Sequence, residues 1–165
     1  MKNNVIKYSR LFWLAIIAFA LLPVMGTAQN KKDKKAQIKS IVEAQNYVFK
    51  AQSALPTAGA TRQLNGDYDL RVSKDTILSD LPYFGRAYTP PLNPSEGPLR
   101  FTSTDFQYSI TNRKKGGWNV NITPKDVQDP RQITMNIFDN GTASVIVTSY
   151  NRQPISFNGY VTARK

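Results

Sequence analysis

The chain has 165 residues, of which 41% are apolar, 20% charged and 11% aromatic. This composition is typical of one compact globular domain and excludes a disordered chain. The sequence contains no cysteine and no histidine, which excludes disulfides, zinc sites with thiolate or imidazole ligands, and catalytic triads that use imidazole as their base. We therefore predict no cofactor, no metal site and no catalytic residue.

Residues 1–28 have the pattern of a signal peptide. A positively charged start precedes the apolar run Leu11–Met25, and the small residues Gly26 and Ala28 follow it. As a helix this run would span about 22 Å, less than the roughly 30 Å of a bilayer core. We predict cleavage after Ala28 and export to the periplasm or the medium, without lipid attachment because there is no cysteine. Retained N-terminal anchoring is the alternative, since lysines follow the run closely.

Residues 29–37 form a basic N-terminal arm. Cleavage would lower the formal net charge from +11 to +8, and about half of the remainder lies in this stretch and the residues next to it. The arm is interpreted as a solvated lead into a helix, or as a weak contact with a membrane surface. The lysines that would make this contact are Lys31, Lys32, Lys34 and Lys35. No nucleic-acid binding is predicted, because that requires a basic face bearing aromatic side chains.

A helix is predicted over residues 35–54. Its apolar residues recur at spacings near three and four, which indicates one apolar stripe. They are Ile38, Ile41, Val42, Val48 and Phe49. Pro56 and Gly59 are expected to end the helix.

Beyond residue 60 the apolar residues alternate with polar ones, which predicts strands joined as hairpins. The strands are expected at 68–72, 76–81, 106–110, 118–122, 133–137, 143–147 and 155–157. Asn140-Gly141 is the dipeptide best suited to a type I′ turn. The predicted fold class is α+β, with an N-terminal helix packed on a mainly antiparallel meander sheet or half-barrel of about seven strands. We expect one β-rich domain over residues 38–165.

A proline-rich loop separates the first two hairpins. Residues 81–101 contain five of the ten prolines in the chain, and because proline fixes φ, this loop is expected to be stiff. It also carries an arginine among aromatic side chains: Tyr83, Phe84, Arg86 and Tyr88.

Five blocks of sequence resemble domain-of-unknown-function family 4251. In chain order they are Leu81–Tyr88, Gly97–Ser103, Gly117-Trp118, Asn140–Ala143 and Arg152–Gly159. The resemblance covers about residues 45–162 and implies a small exported protein of a Gram-negative envelope. It implies no activity, ligand or catalytic residue.

Arg86 and Arg152 are the candidate ligand-binding cations. In a functional interpretation, Arg86 stacks on the rings of Tyr83, Phe84 and Tyr88, and converges with Arg152 on an anion such as a peptide terminus or an acidic sugar. In a structural interpretation the rings are buried, Arg86 pairs with an aspartate such as Asp80 or Asp105, and Arg152 closes a salt bridge in a turn. Gly85 beside Arg86 is expected to allow a bend that needs positive φ.

The carboxylates offer little for catalysis. Asp67 and Asp69 follow Asn65-Gly66 without the spacing of a calcium loop, and turn chemistry is the expected role for them. The sequence places no second carboxylate opposite a first. We therefore predict a non-enzymatic binding or interaction module that uses the proline-rich loop to hold an anionic small ligand or an envelope protein. The alternative is an aspartate-dependent hydrolase of cell-wall or glycan material.

Overall fold

The computed structural model describes residues 24–88 and 99–164, with helix side chains described from residue 32 onward. Most of the predicted signal peptide, and residues 89–98 of the proline-rich loop, lie outside the described residues. The chain divides into two compact units, residues 1–34 and 35–165, and the site described below belongs to the second. Among the described residues, no helix has the length and apolar character needed to span a bilayer.

Helix α1 spans Val24–Glu43, so the helix predicted over 35–54 is wrong beyond residue 43. The chain leaves the helix through Gln45, which has a φ of +52°, and continues as a strand. The spacing of Val48 and Phe49 fits a helix, but both are buried because this strand lies in the middle of the sheet and its first three residues are covered on both faces. A strand buried on both faces has no clear alternation, which explains the error.

Ten strands follow the helix. They are β1 Tyr47–Pro56, β2 Arg62–Gln63, β3 Asp69–Val72, β4 Ile77–Leu81, β5 Leu99–Ser103, β6 Phe106–Asn112, β7 Trp118–Pro124, β8 Gln132–Ile137, β9 Thr142–Thr148 and β10 Ile155–Ala163. The seven predicted strands correspond to seven of these. Strands β1, β2 and β5 were not predicted from the sequence.

All strands belong to one antiparallel sheet. The order is β5-β4-β3-β1-β10-β9-β8-β7-β6, with β2 paired to β1 beside this path. The three predicted hairpins are confirmed as β3–β4, β6–β7 and β8–β9. The pairing of β1 with β10 joins the N-terminal and C-terminal halves of the sheet over nine residue pairs.

The two edges of the sheet, β5 and β6, are consecutive in the chain and are separated only by Thr104-Asp105. Because β5 pairs with β4 and β6 pairs with β7, the sheet must curl round until its edges meet at this stretch. The fold is therefore a nearly closed barrel. The Asp126 carboxylate accepts hydrogen bonds from the backbone N–H groups of Thr104 and Asp105 at 2.7 and 3.1 Å, which holds the junction.

The barrel interior is filled by side chains. Inward positions of the strands form one continuous apolar cluster that includes Phe49, Leu70, Met135 and Phe157, each essentially fully buried. Helix α1 adds Ile38 and Val42 to this cluster. The helix packing that the sequence predicted is thus present, although only the part of the helix before residue 44 provides it.

The β8–β9 turn differs from its prediction. Gly141 has a φ of +84°, but Asn140 does not have positive φ, so the turn is not type I′. Gly141 N–H donates to Phe138 O, and Phe138 N–H donates to Thr142 O, which is a three-residue loop ending in a left-handed glycine. A Cβ at Gly141 would lie 3.0 Å from Ile38 Cδ1, so the helix packs directly on this turn.

Candidate functional site

The meander brings three loops to one end of the barrel. These are the segment after β4 (82–88), the β7–β8 connection (125–131) and the β9–β10 connection (149–154). Strands in an up-and-down meander alternate in direction, so their alternate connections collect at the same end. We call this end the loop end. It contains all five ligand-binding residues predicted from the sequence.

Tyr83 anchors the first loop to the third. Its hydroxyl lies 2.9 Å from Arg86 O and 3.0 Å from Gln153 O, and burial raises its pKa above the ordinary value. Gly85 does not have the positive φ that we expected. It makes room for the tyrosine instead, because a Cβ there would lie 2.7 Å from Tyr83 Cζ.

Backbone hydrogen bonds join the same two loops as a short ladder. Ala87 forms an isolated antiparallel bridge with Arg152. Tyr88 N–H donates to Asn151 O at 2.8 Å, and Gln153 N–H donates to Arg86 O at 3.1 Å. The segment from Arg86 to Tyr88 is therefore fixed at the loop end by both backbone and side-chain contacts.

Arg152 has a structural environment. Its Nε lies 3.5 Å from Asp129 Oδ2, and both side chains are about 15% exposed. The guanidinium also lies 5.7 Å from the centre of the Tyr83 ring. Arg152 thus closes a salt bridge in a turn, as the structural interpretation expected, and joins the second loop to the other two.

Arg86 and Tyr88 face solvent. Tyr88 is 67% exposed, and Arg86 has no ion pair among residues 24–88 and 99–164. Asp80, one of the partners expected for Arg86, is bound to Arg100 instead. The structure therefore separates the two arginines: one is held inside the loop end and the other is presented on it.

Two further residues extend this exposed surface. Tyr150, one residue before the acceptor of the Tyr88 N–H bond, is 66% exposed. The guanidinium of Arg131 lies 5.5 Å from its ring centre, within the range of a cation–π contact. We call Arg86, Tyr88, Arg131 and Tyr150 the loop-end surface. The sequence analysis missed the last two, although an aromatic residue within a turn is an indication of exposure.

Phe84 lies elsewhere in the same loop. It is half-buried, and the Arg62 guanidinium stands 4.8 Å from its ring centre. Its contact is therefore with the β2 strand rather than with Arg86. Of the five predicted residues, Tyr83, Phe84 and Arg152 make contacts within the loop end, whereas Arg86 and Tyr88 are exposed.

Several of the described carboxylates have internal partners. Asp69 is buried at the start of β3, where Lys50 Nζ and Arg71 Nε approach it at 3.0 and 3.2 Å, so turn chemistry is the wrong role for this residue. Asp67 also contacts Lys50 Nζ, at 3.6 Å. Hydrogen bonds from Ser103 and Thr104 hold the pKa of Asp126 well below its usual range. Within residues 24–88 and 99–164 no group of three acidic side chains could hold a metal ion.

Comparison with known proteins gives a family and a fold. The model of the family described as Domain of unknown function (DUF4251) matches residues 29–161. A crystal structure of a DUF4251 family protein from Bacteroides eggerthii is similar with a TM-score of 0.61 and 15% identity, over 79% of this chain and 87% of that one. No curated protein shows a significant match. The resemblance found in the five sequence blocks is thus confirmed, over a longer range.

Proposed function

We propose that this chain, which belongs to the DUF4251 family, is an exported, non-enzymatic binding module. The family is named for a domain of unknown function, so the proposal rests on physical grounds. The ligand is an anionic small molecule or the acidic part of an envelope partner. The contact is made by the loop-end surface. The signal-peptide pattern of residues 1–28 supports export.

One observation carries this proposal: two tyrosines, each about two-thirds exposed, stand beside two exposed arginines on an anchored scaffold. Large aromatic side chains and arginines are the residues that dominate binding surfaces. Leaving two tyrosine rings in water is unfavourable by itself, since their apolar area could be buried. A ligand that covers the rings while it pairs with the guanidiniums would recover that energy.

The scaffold explains why the loop can bind tightly. Tyr83, the ladder to residues 151–153 and the Arg152–Asp129 ion pair hold Arg86 and Tyr88 in place before a ligand arrives. A preordered surface avoids the entropy of ordering a loop on binding, which costs about 0.5–1.5 kcal/mol for each immobilised side chain.

The hydrolase alternative has no observation in its favour. Among the described residues, Asp69, Asp80, Asp126, Asp129 and Asp139 each have a cation or a set of hydrogen-bond donors as a partner. A general acid would need a carboxyl with a raised pKa, whereas hydrogen bonds from Ser73 and Ser103 lower the pKa of Asp75 and Asp126.

The test uses the double substitution Arg86→Ser with Tyr88→Ser in the mature protein. Titration calorimetry with oligogalacturonate and with a peptide that has a free carboxyl terminus should show binding of at least one of them by the natural protein. We expect the double variant to bind at least tenfold more weakly. The matched control is Tyr160→Ser with Arg164→Ser, which removes the same residue types at the other end of the barrel and should leave binding unchanged.

Three outcomes would contradict the proposal. The first is binding of neither probe by the natural protein, and the second is equal binding by the double variant and the control. The third is release of reducing ends from glycan by the purified protein, abolished when one aspartate is changed to asparagine, which would support the hydrolase.

A further inference from the structure

The outward face of strands β6–β10 carries no charged residue. Outward positions were identified by their alternation with the buried positions of each strand. They are Gln107, Ser109, Thr111, Asn119, Asn121, Thr123, Gln132, Thr134, Asn136, Thr142, Ser144, Ile146, Thr148, Ser156, Asn158, Tyr160 and Thr162. All but Ile146 and Tyr160 are asparagine, glutamine, serine or threonine. We call this set the neutral face.

The absence of charge is specific to this half of the barrel. The chain as a whole has 22 basic and 11 acidic residues, and a surface that is about 25–35% charged is the guideline for a soluble designed protein. The outward face of the other half follows that rule. One register row across it reads Lys50, Asp69, Asp80, Arg100. Solubility alone therefore does not account for a face that spans five strands without a charge.

Strand register arranges the neutral face in rows. One row runs Thr111, Asn119, Asn136, Ser144, Asn158, and the next runs Ser109, Asn121, Thr134, Ile146, Ser156. Since neighbouring strands lie about 4.8 Å apart, each row extends about 19 Å across the sheet. The rows are about 7 Å apart along the strands. The result is a regular grid of hydrogen-bonding groups.

Part of this grid is used internally: Thr134 bonds Asn121 at 3.0 Å, Asn136 bonds Ser144 at 3.4 Å, and Thr142 bonds Asn140 at 2.7 Å. Asn119 Oδ1 is buried and is not presented to a ligand. Other positions have no side-chain hydrogen-bond partner among the described residues, including Ser109, Thr111 and Asn158, which are exposed. Amides and hydroxyls both donate and accept, so the face can bind a ligand that itself presents both functions.

From this chemistry we propose that the neutral face binds an uncharged polysaccharide. Sugar hydroxyls donate and accept hydrogen bonds, as the amides and hydroxyls of the face do. A neutral sugar chain carries no charge that would need a counter-ion on the face. A nucleic acid or an anionic lipid would find no cation there. A protein partner would find only Ile146 and Tyr160, 37% and 42% exposed, where protein interfaces have an apolar centre.

This inference does not depend on the loop-end surface, and its affinity arises differently. A hydrogen bond between neutral groups replaces bonds to water and contributes little on its own, so one sugar unit is held weakly and a chain that crosses several strands is held by many contacts. Binding should therefore increase with chain length and should not respond to salt, because no ion pair is involved.

The test is affinity electrophoresis of the mature protein through gels that contain dextran, mixed-linkage β-glucan, mannan or xylan. We expect at least one of these to retard the protein equally at low and high salt. The triple substitution Ser109→Ala, Thr111→Ala and Asn158→Ala removes exposed hydrogen-bonding groups from the face. It should weaken retention at least tenfold.

Two controls keep the result interpretable. Thr102→Ala with Lys74→Ala changes exposed residues outside the neutral face and should leave retention unchanged, as should Arg86→Ser with Tyr88→Ser. Thermal unfolding should show that the triple variant remains cooperatively folded. If it does not, Ser109→Ala with Asn158→Ala serves in its place.

Retardation by none of the four polysaccharides would overturn the inference. Equal retention of the triple variant and the natural protein would also overturn it, as would sedimentation that shows a dimer broken by the triple substitution. In that last case a second copy of the chain is the occupant. Loss of anion binding in Arg86→Ser, Tyr88→Ser with intact glucan retention would separate this inference from the proposed function.

Discussion

The buried carboxylate of Asp69 allows a matched comparison of two charge changes at one lysine. Lys50 Nζ lies 3.0 Å from Asp69 Oδ2 and 3.6 Å from Asp67 Oδ1. The Asp69 side chain is 2% exposed, whereas that of Asp67 is 99% exposed. Asp69 also accepts from Arg71 Nε and Nη2, each at 3.2 Å. The two aspartates thus differ chiefly in burial and in hydrogen-bond number.

We expect Asp69→Asn to lower the free energy of unfolding by about 2 kcal/mol. Hydrogen bonds to a charged group contribute about 1.5–3 kcal/mol, and the substitution keeps the side-chain shape while removing the charge that both cations face. For Asp67→Asn we expect a change of less than about 0.5 kcal/mol, because exposed ion pairs contribute little.

Urea unfolding at pH 7, followed by tryptophan fluorescence, measures both changes. The midpoint should fall for Asp69→Asn and stay in place for Asp67→Asn, with the same slope for both. Equal destabilisation by the two substitutions would refute the reasoning, since it would mean that the charge of Lys50 matters and the burial of its partner does not.

Three further predictions concern single contacts. Burial raises the pKa of Tyr47 in the folded protein. The neutral phenol therefore contributes its full stabilisation below the ordinary pKa near 10, and this contribution is lost as pH rises through the raised pKa of the folded state. The urea midpoint of Tyr47→Phe should therefore lie below that of the natural protein at pH 7, and it should fall less between pH 9 and 11. Midpoints that fall equally with pH in the two proteins would contradict this. Tyr83→Phe removes the hydroxyl between Arg86 O and Gln153 O. It should lower the free energy of unfolding by about 1 kcal/mol and speed hydrogen exchange at the Tyr88 and Gln153 amides, and unchanged exchange would show that the anchor is unimportant. Gly141→Ala adds a Cβ 3.0 Å from Ile38 at a φ of +84°, whereas Gly59→Ala adds one in open space at a φ of +116°. Both substitutions should lower the melting temperature through backbone strain, Gly141→Ala by more, and an equal loss would argue against contact between the helix and the turn.

The hairpins were predictable because each strand has one face in the core. Val120 and Ile122 alternate with Asn119 and Asn121, so the period of two is visible in the sequence. The β1 strand was not predictable in the same way. It lies between β10 on one side and β2 and β3 on the other, and its first three residues are all buried, so no period of two is visible where the strand begins.

The barrel closure depends on long-range pairing that no local pattern encodes. Alternation at Phe106 predicts a strand, but it does not show that β5 precedes it or that the two form opposite edges of the sheet. Asp126 joins this junction from 21 residues beyond Asp105 in the chain. Its carboxylate was not distinguishable in sequence from a solvated surface charge.

The loop-end site was predictable by composition and not by geometry. The prolines and aromatics of residues 82–88 identified the segment, and Arg152 was expected to close a salt bridge. Which arginine is buried depends on Asp129, a residue in another loop. Tyr150 and Arg131 entered the surface only when the meander brought three loops to the same end.

The most direct test of the proposed function is a map of chemical-shift changes on the ¹⁵N-labelled mature protein during titration with oligogalacturonate. Our account predicts that the largest changes occur at Arg86, Tyr88, Arg131 and Tyr150–Asn151, with the amides of β6–β8 unaffected. Changes confined to the barrel strands, or no changes at millimolar ligand, would contradict it.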